Sequence, residues 1–196
     1  MRVAYDDATG QWGEPETVLA SDETRLSITQ PRISPDGRFL VFCMSDYGCF
    51  PVFQKSSDLY LMDLDTRQYR RLDINSDQSD SWHSWSSNGR WLVFASKRGN
   101  GLFGRLYICH VDLDGRFSKP LLVPQQDPRF YDSFAMTYNV PELASGPVPI
   151  RGNRLARLIR SPMPDGERLP MTSASPTVGA GQAEGDLYRR DPGGEP

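Results

Sequence analysis

The chain has 196 residues, 38% of them hydrophobic, with 22 basic and 25 acidic side chains for a net charge of −3. That length is enough for one domain with a sizeable core, and the near-neutral balance excludes a nucleic-acid partner held by bulk charge. No run of eighteen apolar residues is present to span a membrane as a helix, and Met1–Asp6 has no apolar export segment.

In chain order, residues 2–5 read as a strand, 6–10 as a turn and 12–19 as a second strand containing Pro15. The turn Ser34-Pro35-Asp36-Gly37 then joins a short strand ending at Ile33 to the apolar run Phe39-Leu40-Val41-Phe42, which is a hairpin pattern. Residues 46–56 follow as an insert carrying Tyr47, Phe50 and Phe53, expected to fold over the rim of its sheet. Leu59–Thr66 and Tyr69–Leu72 read as two more strands, joined at Asp63-Leu64-Asp65. The hairpin recurs 52 positions later as Trp85-Ser86-Ser87-Asn88-Gly89-Arg90 before Trp91-Leu92-Val93-Phe94, sharing Ser, Gly, Arg, Leu, Val and Phe without a gap. Leu106–Gly115 and Phe117–Val123 repeat the second strand pair, and aligning Trp12, Tyr69 and Phe117 gives periods of 57 and 48.

Four strands per repeat at this spacing fit a β-propeller blade. The expected architecture is all-β: a partial propeller of about two and a half four-stranded antiparallel blades, comprising outer strands at 2–19 and complete blades at 29–73 and 82–123. An irregular C-terminal segment and a disordered tail complete it. Asp127-Pro128 starts a helical turn whose aromatics pack on the last blade, and 140–150 is extended. The propeller with its closing segment takes 1–150. Residues 151–164 form a short basic amphipathic segment, with Arg151, Arg154, Arg157 and Arg160 beside Leu155, Leu158 and Ile159, expected to be a solvated face. Residues 165–196 contain ten Gly or Pro, six acids and three arginines. They bury too little to offset their ordering entropy, so a disordered tail is expected there.

The chemistry-bearing residues are few. Asp80, Trp82 and His83 fall on an innermost strand, and Gln30 and Arg32 hold similar places one blade earlier. These five are the candidate ligand-binding residues at the mouth of a central channel. Asp63 and Asp112 open Asp-x-Asp turns, for which Asx-turn bonding outweighs cation binding. Cys43 and Cys109 are expected as buried thiols, with a Cys43–Cys49 disulfide as the alternative in an exported chain. Trp82, Trp85 and Trp91 are expected in the packing between blades. With no Gly-x-Ser-x-Gly, no His-Glu-x-x-His, no phosphate-binding glycine loop and no cysteine paired with a histidine in a nucleophile motif, no catalytic residue, metal or cofactor is expected.

Both turn copies, Ile33-Ser34-Pro35-Asp36-Gly37-Arg38 and Trp85-Ser86-Ser87-Asn88-Gly89-Arg90, resemble the Trp-Ser-Pro-Asp-Gly signature of the TolB-like propeller repeat. Leu59–Asp65 and Leu106–Asp112 match its Ile-Tyr-x-x-Asp-x-Asp strand. His83 stands where that family has Pro, and Ser87-Asn88 replaces its Pro-Asp. Residues 80–142 are also similar to the C-terminal end of bacterial extracytoplasmic propeller proteins of unassigned function. The resemblance implies a non-enzymatic binding or scaffold module in the periplasm or cell envelope with a protein, peptide or glycan partner. It also implies a piece of a longer ring of six or so blades. The alternative is the propeller of a prolyl-oligopeptidase-like hydrolase whose catalytic domain lies outside this chain.

Overall fold

The computed structural model describes residues 1–147 and 149–161, so the expected disordered tail at 165–196 lies outside the described residues. The chain divides into two units, Met1–Pro149 and Ile150–Pro196. The first begins with the hairpin β1 (Tyr5–Asp6) and β2 (Gln11–Trp12), followed by a single helical turn, α1 (Ser21–Thr24), which the sequence pattern does not signal. A first sheet follows, of β3 (Ser27–Ile33), β4 (Phe39–Ser45), β5 (Asp58–Asp63) and β6 (Tyr69–Arg71), with a 3-10 turn at Pro51–Phe53 in the insert. The second sheet holds β7 (Asp80–Trp85), β8 (Trp91–Ser96), β9 (Arg105–His110) and β10 (Leu121–Leu122), and α2 (Phe130–Ser133) comes after it. In the second unit, α3 spans Gly152–Arg160.

Each four-stranded sheet runs in chain order, every neighbour antiparallel. The two copies of the turn explain why. In the first, Ser34 Oγ accepts the Phe39 N–H at 2.9 Å and Asp36 Oδ1 accepts the Arg38 N–H, with Gly37 at φ 78. In the second, Ser86 Oγ accepts the Trp91 N–H at 3.0 Å and Asn88 Oδ1 accepts the Arg90 N–H, with Gly89 at φ 67. The degenerate copy therefore rebuilds the same turn, its Asn replacing Asp as acceptor and glycine again taking the left-handed position.

Alternation along the strands decides how the sheets pack. Val41, Cys43, Leu59 and Leu61 of the first sheet meet Leu92, Phe94, Cys109 and Val111 of the second in one core. The other face of the first sheet presents Phe42, Met44 and Met62 to Val18, Leu19, Leu26 and Ile28. β4 is buried on both sides, which is why Phe39–Phe42 lacks the polar alternation of a half-exposed strand. Two complete blades thus stack face to face. β1 and β2 supply the outer strands of a third, since Tyr5 pairs with Trp12 as Met62 pairs with Tyr69. Glu16 pairs with Arg2 within that piece at 2.6 Å and ties it to Arg67 in the β5–β6 turn. Between blades, Arg70 donates to the Gly115 carbonyl at 2.7 Å, and a Cβ at Gly115 would stand 2.9 Å from the Phe39 ring. The outward face of the first blade keeps an apolar cleft of about 490 Å³ lined by Val18, Leu19, Ile28, Leu40, Phe42 and Met62.

One expectation on the tryptophans is corrected. Trp85 packs against the inter-blade core beside Phe117, but Trp91 lies on the opposite face, 41% exposed and edge-on to His110. Strand alternation forces this, because Leu92 and Phe94 take the inward positions. The insert is held by buried Pro51 and Val52, while Tyr47, Phe50 and Phe53 stay exposed.

Candidate functional site

The innermost strands, β3 and β7, share an irregularity. Each shifts register against its neighbour, between Thr29 and Arg32 in β3 and between Ser81 and Ser84 in β7. Gln30 takes φ 56 and Trp82 takes φ 48, a left-handed conformation that costs a non-glycine residue roughly 1–2 kcal/mol. The two positions are repeat-equivalent, so the bulge belongs to the blade and is not a local accident. It turns the Gln30 side chain toward the next blade, where Oε1 accepts the Trp82 N–H at 2.9 Å; the Cys43 thiol of its own blade also reaches Oε1, at 3.3 Å.

The bulge also resets the phase of β7, so that His83 points back at the first blade. Its Nε2 is 2.9 Å from the Val41 carbonyl. A carbonyl only accepts, so Nε2 carries the proton and Nδ1 presents a lone pair, 3.8 Å from Cys43 Sγ. Pro31, the residue equivalent to His83, lines the apolar cleft on the far side of the first blade. Burial holds the His83 pKa down to about 4, outweighing the Val41 bond that favours the charged form, and nearby Arg32 lowers it further.

Gln30, Trp82 and His83 are therefore brought together, with Cys43 joining them. The register pairing Thr29 with Cys43 makes this meeting possible, and no sequence proximity announces it. The Cys43–His83 contact is not a nucleophilic pair. The thiol is 0% exposed, and desolvation pushes its pKa up, keeping it protonated. Arg32 sits at the exposed side, paired with Glu142 at 2.9 Å, while its carbonyl accepts the Trp85 indole N–H. Asp80 faces elsewhere. It is fully buried, bonded to Arg98 Nη2 at 2.8 Å, to the Ser76 N–H at 2.6 Å and to the Ser76 hydroxyl at 2.8 Å. The Arg98 guanidinium lies over the Phe94 and Tyr107 rings and donates to the Ile74 carbonyl, so this pair clamps the inter-blade connection to the inner strand.

Four side-chain atoms are buried without a hydrogen-bond partner among the described residues: Thr29 Oγ1, Gln30 Nε2, Ser81 Oγ and Trp82 Nε1. They are two repeat-equivalent pairs, Thr29 with Ser81 and Gln30 with Trp82. Thr29 went unnoticed in the sequence, although the 52-residue spacing that aligns the turns also aligns it with Ser81. Beside them, the Ser84 hydroxyl donates to the Pro141 carbonyl at 2.8 Å, so the C-terminal segment runs along the inner strand of the second blade. Chemically the cluster offers donors and hydroxyls, with its one imidazole neutral and already bonded.

The Asp-x-Asp turns are closed on themselves. Asp63 Oδ1 accepts the N–H groups of Asp65 and Thr66, and Asp112 Oδ1 those of Asp114 and Arg116. These bonds hold both carboxyls below the usual range. Among the described residues no group of three or more His, Cys, Asp or Glu is arranged to hold a metal. None of the helices described is long and apolar enough to cross a membrane.

No protein-family description matches the chain, and no curated protein matches it. Among solved structures, the β-propeller domain of the Trilobed protease from Pyrococcus furiosus, described as having an open velcro topology, aligns at 19% identity and a TM-score of 0.36. That alignment covers 50% of this chain and 30% of that one. A structure from a study of two prolyl endopeptidases aligns at 13% identity and a TM-score of 0.28, covering 55% of this chain and 22% of that one. The chain spans less than a third of the length of either.

Proposed function

We propose that this chain is a non-enzymatic binding module of a TolB-like propeller in the bacterial cell envelope, taking a protein, peptide or glycan at the inner-strand bulges. One pattern supports this reading: the orphaned polar atoms of the described residues all fall at Thr29, Gln30, Ser81 and Trp82, which the repeat makes equivalent. A buried polar group without a partner costs about 1–3 kcal/mol, so four in equivalent places call for a group that completes them. Gln30 Oε1 is already taken by the Trp82 N–H of the next blade, so the atom it leaves open is the donor Nε2, which asks for an acceptor. Trp82 Nε1, a donor only, asks for a carbonyl, carboxylate or sugar oxygen. Exposed Arg32 stands near enough on β3 to add a charged contact.

The experiment screens the labelled chain against immobilised peptides and glycans, then compares Trp82→Phe and Arg32→Ala on each hit. Trp82→Phe removes an unpartnered donor and keeps a ring, so stability should hold or rise while affinity falls tenfold or more. Unchanged affinity in both variants would place the site elsewhere.

A further inference from the structure

Helix α3 places its residues in two sharply separated arcs. At about 100° per residue, Leu155, Leu158 and Ile159 share one face, and Arg154, Arg157 and Arg160 share the other. The apolar face is uncovered: Leu155 is 45% exposed, Leu158 57% and Ile159 75%. From Ile150 to Ser161 the chain carries four arginines and no acid, a local charge of +4 in a protein whose net charge is −3. The helix starts after Arg151 with no side-chain cap and ends where Ser161 turns extended, its hydroxyl and N–H bonded back to the Arg157 carbonyl. Nine residues so weakly capped gain little from helix formation by itself, so the helix draws its stability from whatever its faces contact.

We propose that α3 lies in the surface of an anionic lipid bilayer, its leucines and isoleucine at the acyl boundary and its arginines on lipid phosphates. Charge complementarity selects this occupant. A nucleic acid would neutralise the arginines yet leave the apolar arc in water, and an apolar protein groove would bury the arc yet leave four guanidinium groups without counter-charges. An anionic interface satisfies both arcs at once, with guanidinium–phosphate pairing in bidentate geometry. A helix this short binds reversibly and acts as a contact, not as an anchor. Each arginine near such a surface is worth about a fivefold gain in partitioning.

The test is co-sedimentation of the full chain with vesicles of phosphatidylglycerol and phosphatidylcholine, against pure phosphatidylcholine, at low salt. The chain should sediment with the anionic vesicles alone, and its far-ultraviolet circular dichroism should gain helical signal when they are added. The triple variant Arg154→Gln, Arg157→Gln, Arg160→Gln should lose roughly a hundredfold in partitioning. Leu155→Ser, Leu158→Ser, Ile159→Ser should lose at least tenfold on the same vesicles. These substitutions alter no residue of the two blades, and tryptophan fluorescence checks that the blades are intact. No sedimentation with anionic vesicles overturns the proposal, as does binding by either triple variant equal to that of the parent chain. It also falls if a single-stranded RNA oligonucleotide binds more tightly than the vesicles and the Ser variant binds it unchanged.

Discussion

At neutral pH the imidazole of His83 is uncharged and donates its single proton to the Val41 carbonyl. Its folded pKa of about 4 lies below the ordinary value of 6.5. Between those two values the unfolded chain binds a proton that the folded chain refuses, so stability is complete above pH 6.5 and is lost as pH falls toward 4. At about 1.4 kcal/mol per unit the loss amounts to about 3 kcal/mol. Urea midpoints measured from pH 7.5 to 4.5 should therefore fall for the parent chain and stay nearly level for His83→Gln, whose amide can still reach Val41. A parallel slope in both proteins would assign the acid sensitivity to other groups. The Asp80 carboxylate reads in sequence as part of the same polar cluster, standing three residues away from His83. Its burial against Arg98 was not legible because that partner lies in the turn after β8 and is visible only once β7 and β8 are paired.

At the scale of elements, the inner-strand bulge converts a repeat of sequence into a repeat of contacts. Gln30→Ala keeps a side chain at the left-handed position but strands the Trp82 N–H, at a cost of about 1–3 kcal/mol. Urea unfolding should show that loss, and a variant as stable as the parent would mean water replaces the amide. The strands and their turns were legible in the sequence for direct reasons. Asp36-Gly37 and Asn88-Gly89 can form only tight turns beside such apolar runs, and a strand apolar on both faces must lie between two layers. The bulges were not legible, because Gln and Trp are not left-handed formers and nothing local marks them. They accompany a contact between consecutive blades, the Trp82 N–H on Gln30 Oε1, which is tertiary. The same limit hid the Cys43–His83 contact, which depends on register across two sheets. It also hid α1, a four-residue turn too brief for periodicity.

For the molecule as a whole, the main core is shared property. Phe39, Val41 and Leu61 come from one blade, and Leu92, Phe94 and Val111 from the other. Removing the Phe94 ring should cost about 3–5 kcal/mol, a large part of a domain stability of about 5–15 kcal/mol. Phe94→Ala should still unfold in one transition, with hydrogen exchange in β4 and β9 rising together, since each blade is the other's cover. Exchange confined to β8 and β9, with β4 still protected, would show that the blades are independent units. The three sulfurs report on the same arrangement. Cys49 is exposed, whereas Cys43 and Cys109 lie at 0% and 1% on either side of the seam, the latter with its pKa pushed up to about 12 by desolvation. A maleimide dye accordingly meets one sulfur immediately and the other two only when the seam parts, so labelling speed alone times how often this pair of sheets breathes.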